Sequence, residues 1–284
     1  MRHAFAVRIG PVGFRVGSDW RAPIAALETL YRDYPTPDVP DFTVRLFARR
    51  PWRRFVRPSV EIGGDYMLPE AAPLPLSQGL LAAEMAMNLQ LALGGRRYLL
   101  LHASAVERDG RAVLMTGISG AGKSTLASLL AARGWRFMGD EFALLDPATG
   151  LVHAFPRLIS LKNEGIAAAI AARPDARLGP LMAGTPKGDI RHIVPDARAI
   201  AAMDVPARPA LLLFPRYGFE AAVRPVPPAE AFVRMTQAST NYVALGEAGF
   251  AALTGLIRAV PSVALDYPDG ARAVAQVEAL WDAL

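Results

Sequence analysis

The stretch Gly117-Ile118-Ser119-Gly120-Ala121-Gly122-Lys123-Ser124-Thr125 fits the phosphate-binding pattern G-x-x-x-x-G-K-[ST] without a mismatch. Glycine permits the positive φ angles with which a backbone wraps an anion, because it has no Cβ. Successive backbone N–H groups then converge on the anion. The N-terminus of a following helix adds unpaired donors and the positive end of its dipole. In such a loop Lys123 reaches the β- and γ-phosphates, and the Ser124 hydroxyl ligates Mg²⁺. The pattern needs a strand before it and a helix after it. Both are predicted. Ala112-Val113-Leu114-Met115-Thr116 is a short apolar run that reads as a buried strand. Leu126, Leu129 and Leu130 share one helical face, and Arg133-Gly134 supplies a basic last turn and a terminating glycine.

Around this loop the chain reads as α/β, with a small α+β module at residues 1–72 and a larger domain at 73–284. Residues 5–16 predict two short strands about Gly10-Pro11 and Gly13. Ile24, Leu27, Leu30 and Tyr31 predict a helix over 20–34, with Ser18-Asp19 as its cap. Phe42, Val44 and Leu46 alternate, as a half-buried strand does, and Val60-Glu61-Ile62 suggests another. Residues 69–75 form a proline-rich joint, and 77–93 a long apolar helix. Residues 98–106 and 111–116 flank Arg108-Asp109-Gly110, a β-hairpin signal. Short strands follow at 135–138, 142–145 and 158–161, and a helix at 166–172. Residues 173–209, rich in Pro, Gly and Arg, read as loops around the nucleotide or its acceptor. A buried strand at 210–214, helices at 229–237 and 247–259, a strand at 263–265 and a closing helix at 270–284 complete the chain.

With 284 residues, 52% hydrophobic and 20% charged, the chain is globular rather than disordered. It has no cysteine, which excludes disulfides, thiolate chemistry and cysteine zinc sites. Arg8 interrupts the N-terminal apolar residues, so no signal peptide is expected there. No apolar stretch approaches a membrane span. These features predict a cytoplasmic protein with no membrane partner. The net charge of +5 suits a polyphosphate ligand as well as nucleic acid. The basic run Arg49-Arg50-Pro51-Trp52-Arg53-Arg54-Phe55-Val56-Arg57 reads as a solvated loop or edge strand before it reads as a base-stacking surface.

Phosphoryl transfer needs carboxylates to hold the metal and a base near the acceptor. Asp140 and Glu141 are the candidates. They follow a hydrophobic strand that starts after the phosphate-loop helix, which in a parallel α/β sheet places them at the ligand-binding edge. One can bind metal and the other accept a hydroxyl proton. His102, after Tyr98-Leu99-Leu100-Leu101, is either a core histidine or a catalytic one. Glu164 is either a further metal ligand or part of a polar loop. Lys187 can neutralise phosphate charge.

Three pieces in fixed order resemble the catalytic domain of the HPr serine kinase/phosphorylase family. They are His102 before a hairpin, the Gly117–Ser124 loop after it, and Arg133-Gly134-x-Arg136 leading to Asp140-Glu141. More closely, the chain is similar to the subgroup called HPr-kinase-related kinase A. The matching pieces include Ser160-Leu161-Lys162-Asn163-Glu164, Thr185-Pro186-Lys187-Gly188, Phe214-Pro215-Arg216-Tyr217 and Asn241-Tyr242. The resemblance implies a P-loop kinase fold of the HPr kinase/phosphoenolpyruvate carboxykinase type, using ATP and Mg²⁺. It implies catalytic roles for His102, Lys123 and the acid pair, with Glu141 at the base position. The parent family carries two aspartates where this chain has Asp140-Glu141. The parent family is oligomeric, which leaves a homo-oligomer open.

The expectation is a kinase that transfers the γ-phosphoryl group of ATP to a hydroxyl of a protein, peptide or small molecule. The alternative is a nucleotide-gated binding or assembly protein. A nucleic-acid role, motivated only by charge, ranks third.

Overall fold

The computed structural model describes residues 2–67 and 72–284. The chain begins with the hairpin β1 (His3–Ile9) and β2 (Val12–Ser18), then α1 (Arg21–Leu30), β3 (Phe42–Phe47), β4 (Ser59–Gly64) and β5 (Leu74–Pro75). These strands form one five-stranded sheet in sequence order. Val44 and Leu46 point inward, as the alternation in β3 requires, and join Phe14, Ile24 and Leu27 in an apolar core. α1 starts later than its expected cap. No side chain caps it, and the Ser18 hydroxyl instead accepts the Trp20 N–H at 3.0 Å. The basic run is a 3-10 turn at Pro51–Arg54 rather than an edge strand. The expected joint at 69–75 lies partly outside the described residues.

The apolar helix α2 (Gly79–Gly94) packs on the N-terminal sheet, so the cover of this layer comes from beyond residue 72. A buried ion pair ties it to later chain. Arg157 bonds the Glu84 carboxylate, and also donates to Glu84 O at 2.9 Å. The Tyr31 hydroxyl donates to the same carboxylate at 2.9 Å.

The strand expected over 98–106 is broken at His102 into β6 (Leu99–Leu101) and β7 (Ala103–Arg108). Asp109 and Gly110 take φ of 55° and 74°, as a two-residue type I′ turn needs, and lead into β8 (Arg111–Thr116). Then come α3 (Lys123–Ala132), β9 (Arg136–Gly139), β10 (Ala143–Leu145), β11 (Val152–His153), β12 (Ile159–Lys162) and α4 (Glu164–Ala172). Residues 173–209 are not all loop. They contain β13 (Met182–Thr185), β14 (Gly188–Ile193) and α5 (Ala197–Ala201), and β12, β14 and β13 form a small antiparallel sheet. These strands are short and lack apolar alternation, so they carry little periodic signal. The chain closes with β15 (Arg208–Tyr217), β16 (Ala222–Pro225), α6 (Pro228–Ala238), α7 (Tyr242–Ala259), β17 (Ser262–Tyr267) and α8 (Gly270–Asp282).

The central sheet has six strands in the order β16-β17-β15-β8-β7-β9. β8, β15 and β17 are parallel neighbours. Both faces are covered, which is why these strands read as unbroken apolar runs. Val113, Met115, Leu211 and Leu213 pack on the face beneath α3 and α8. Leu114, Leu212 and Phe214 pack on the opposite face with α6 and α7. The architecture is therefore mixed α/β with several sheets. Among the described residues, no helix is long and apolar enough to cross a membrane.

Candidate functional site

The loop after β8 turns on two glycines with positive φ, Gly120 at 85° and Gly122 at 90°. Gly122 is the cap of α3. A Cβ there would lie 2.2 Å from the Tyr267 hydroxyl, which itself donates to Ala121 O at 3.1 Å. Only glycine fits both the backbone and that contact. The first N–H groups of α3 have no partners within the helix, and they face a cleft of about 880 Å³. The Lys123 ammonium donates to Gly117 O at 2.8 Å and to Ile118 O at 3.2 Å. Burial lowers its pKa, and the carboxylates of Asp140 and Glu141 oppose that shift.

Asp140 reaches this cleft by a different route from the one expected. β9 is not a parallel neighbour of β8, because antiparallel β7 lies between them. Two reversals leave β9 running in the same direction as β8, so both strands end at the same edge. Arg136 anchors the start of β9 through a buried bond to Glu107 of β7, at 2.5 Å. A bulge at the other end pairs Ala105 with Gly139 and Val106 with Phe137, which re-aims the chain just before Asp140.

Asp140 is buried. Its carboxylate accepts the Ser104 hydroxyl at 2.7 Å and the Ser160 N–H at 3.2 Å. Burial and then the neighbouring Glu141 charge push its pKa up to about 6, although Ser104, Ser124 and the Ser160 N–H favour the ionised form. Glu141 projects from the same turn. It is half-exposed, and its Oε2 lies 3.5 Å from His102 Nε2. His102 sits at the break between β6 and β7, where its N–H bonds Ala238 O at 2.7 Å and its carbonyl accepts the Thr116 hydroxyl at 3.0 Å. Partial burial lowers the imidazole pKa, against the attraction of Glu141.

The cleft brings together Ser119, Gly120, Ala121, Gly122, Lys123, Ser124, Thr125, His102, Asp140, Glu141, Glu164 and Lys187. Gly117 and Ile118 border a neighbouring cavity instead. Lys187 lies in the turn between β13 and β14. Glu164 opens α4, and its carboxylate accepts the Tyr217 hydroxyl at 3.3 Å. Among the described residues, no three His, Asp or Glu side chains converge as a metal cluster. Mg²⁺ does not need one, since it is commonly held by one or two carboxylates and the phosphates themselves. Ser124 against the Asp140 carboxylate fits that use. Ser104, Ser160, Tyr217 and Tyr267 were not legible as site residues in the sequence, because each arrives through strand register rather than a local motif.

The fold and site define a mixed α/β protein with a glycine-rich loop and two carboxylates on one cleft. The family model that matches is that of the SynChlorMet cassette protein ScmC, over residues 80–172. That stretch runs from α2 through the loop and the acid pair to α4. A comparison with curated proteins finds no match. The resemblance to the HPr serine kinase/phosphorylase family and to HPr-kinase-related kinase A is corrected by this result. The model that matches, over residues 80–172 alone, is that of ScmC, and His102, the loop and the acid pair do not by themselves specify an HPr-kinase-related family.

Proposed function

We propose that this chain is an ATP- and Mg²⁺-dependent phosphotransferase of P-loop kinase type, acting on a hydroxyl acceptor. The observation that carries the reading is the convergence of Lys123, Asp140 and Glu141 on one cleft at the N-terminus of α3. The loop N–H groups bind the phosphates, and Lys123 offsets their charge. Ser124 and Asp140 would hold Mg²⁺, which supplies further charge neutralisation at the β- and γ-phosphates. Asp140 is held by the Ser104 hydroxyl and the Ser160 N–H, which suits a fixed ligand. Glu141 is freer and faces His102, which suits the base that takes the acceptor's proton. His102 orients that carboxylate, and Lys187 adds positive charge at the rim. A protein doing this chemistry belongs where ATP is, which favours the cytoplasm.

The test is incubation of the protein with γ-labelled ATP and extract from its own cells. Wild type transfers label to an acceptor, and Lys123→Ala abolishes the transfer. Absence of transfer by wild type to any acceptor overturns the reading.

A further inference from the structure

A second cavity, of about 430 Å³, opens beside the first residues of the loop. One wall carries Gly117, Ile118 and His102, so His102 borders both this cavity and the nucleotide cleft. Arg216 from β15, Arg224 from β16 and Arg234 from α6 also line this cavity, together with the apolar Phe214.

Two of these guanidinium groups share one carboxylate. Arg216 donates to both oxygens of Asp266, at 3.0 and 2.7 Å. Arg224 reaches the same carboxylate at 2.9 Å. Asp266 is buried, and its hydrogen bonds to Arg216 hold its pKa below the usual carboxylate range. It is therefore ionised, yet one negative charge cannot balance two positive ones. Arg234 lies over the Phe214 ring, 4.9 Å from its centroid, and pairs with the exposed Glu230. Each guanidinium has five N–H donors, and the carboxylates use only some of them. All three side chains remain partly exposed, so their free donors can meet a ligand. Arginine forks match carboxylate and phosphate oxygens in geometry as well as charge.

We infer that this cavity is the acceptor site, and that the acceptor is a small molecule carrying a carboxylate or phosphate as well as the reacting hydroxyl. The inference rests on the phosphotransferase reading above. The volume suits a small ligand rather than a folded partner. The anionic group lies on Arg224 and Arg234, and the hydroxyl points past His102 toward Glu141. In the transfer the hydroxyl oxygen bonds to the γ-phosphorus and its proton passes to the Glu141 carboxylate. The bond from that phosphorus to the β,γ-bridging oxygen breaks, and ADP leaves.

The test uses the whole protein saturated with Mg²⁺ and adenylyl imidodiphosphate, so that the loop is filled. Calorimetric titration compares glycerate, glycerol 3-phosphate and uncharged glycerol. At least one anion binds and glycerol does not, and the tighter anion identifies carboxylate or phosphate as the recognised group. The double variant Arg224→Gln/Arg234→Gln weakens anion binding by at least about tenfold and leaves nucleotide affinity unchanged. Arg216 is left intact because it bonds both oxygens of Asp266, so the carboxylate keeps a partner when Arg224 is replaced. The proposal is overturned if neither anion binds, or if the double variant binds them as wild type does. Transfer to a protein acceptor that ignores the double variant also overturns it, while the phosphotransferase reading stands. Arginine-dependent anion binding with no ADP formed when ATP replaces the imidodiphosphate removes the phosphotransferase reading instead.

Discussion

The Ser104 hydroxyl donates to the buried Asp140 carboxylate at 2.7 Å, from a strand whose bulged pairing with β9 brings the two side chains together. The bond favours ionised Asp140, against the burial that pushes its pKa to about 6. Ser104→Ala removes that help. The pKa then rises further, by about one unit for the loss of one charge-assisted bond. A pH–rate profile of ATP turnover should show its acid limb displaced to higher pH by that amount. An unmoved limb would separate Asp140 from the reaction.

Nucleotide binding should depend on the same proton. Folded Asp140 holds it up to about pH 6, whereas an unfolded aspartate releases it near pH 4, roughly. Between these values the folded state binds more protons, so this group's contribution to stability falls as pH rises and is lost above about 6. Mg²⁺ needs the ionised carboxylate. Affinity for Mg²⁺ with adenylyl imidodiphosphate should drop by about tenfold per pH unit below 6 and level off above it. Asp140→Asn should flatten that slope in calorimetry. An equal slope in wild type and Asp140→Asn would contradict metal ligation by Asp140.

Gly120 and Gly122 of the loop should differ in tolerance. A Cβ at Gly120 meets no atom within 4 Å, so Gly120→Ala costs only backbone strain, about 1–2 kcal/mol. At Gly122 the Cβ would also strike the Tyr267 hydroxyl at 2.2 Å. Gly122→Ala should cost at least about 2 kcal/mol and abolish nucleotide binding. Thermal denaturation with and without nucleotide separates the two. Equal losses would show that Tyr267 does not constrain the loop.

The N-terminal layer should unfold together with the rest. Glu84 and Arg157 form a buried pair between α2 and the segment before β12. Glu84→Ala strands the guanidinium and should cost about 3–5 kcal/mol. Urea denaturation should show a single transition moved to lower denaturant. A loss below about 1 kcal/mol, or two separated transitions, would mean that the layers are independent.

What the sequence revealed follows from how local each signal is. The loop was legible because its backbone chemistry is written in nine consecutive residues, Gly117 to Thr125. The hairpin at Asp109-Gly110 was equally local. The acid pair was legible as a strand followed by carboxylates, although the sheet read as parallel is mixed there: β9 reaches the loop edge only after antiparallel β7 intervenes. Ser104 and Ser160 could not be read as partners of Asp140, since their approach depends on a bulge and on the register of β12. β13 and β14 were hidden by short, glycine-bearing, non-alternating sequence. The family reading failed for a related reason. Short matched pieces around a glycine-rich loop do not fix the family of the chain.

On the proposed reading the γ-phosphoryl group leaves ATP for a hydroxyl with Glu141 as base. Phosphorus NMR of the protein with Mg²⁺, ATP and its own cell extract tests it most directly. In wild type the γ-resonance should give way to a phosphate-ester resonance alongside ADP. Glu141→Gln should slow this by about 10²–10⁴-fold while binding nucleotide normally. ADP appearing with inorganic phosphate alone, or ester forming equally fast in Glu141→Gln, would contradict the claim.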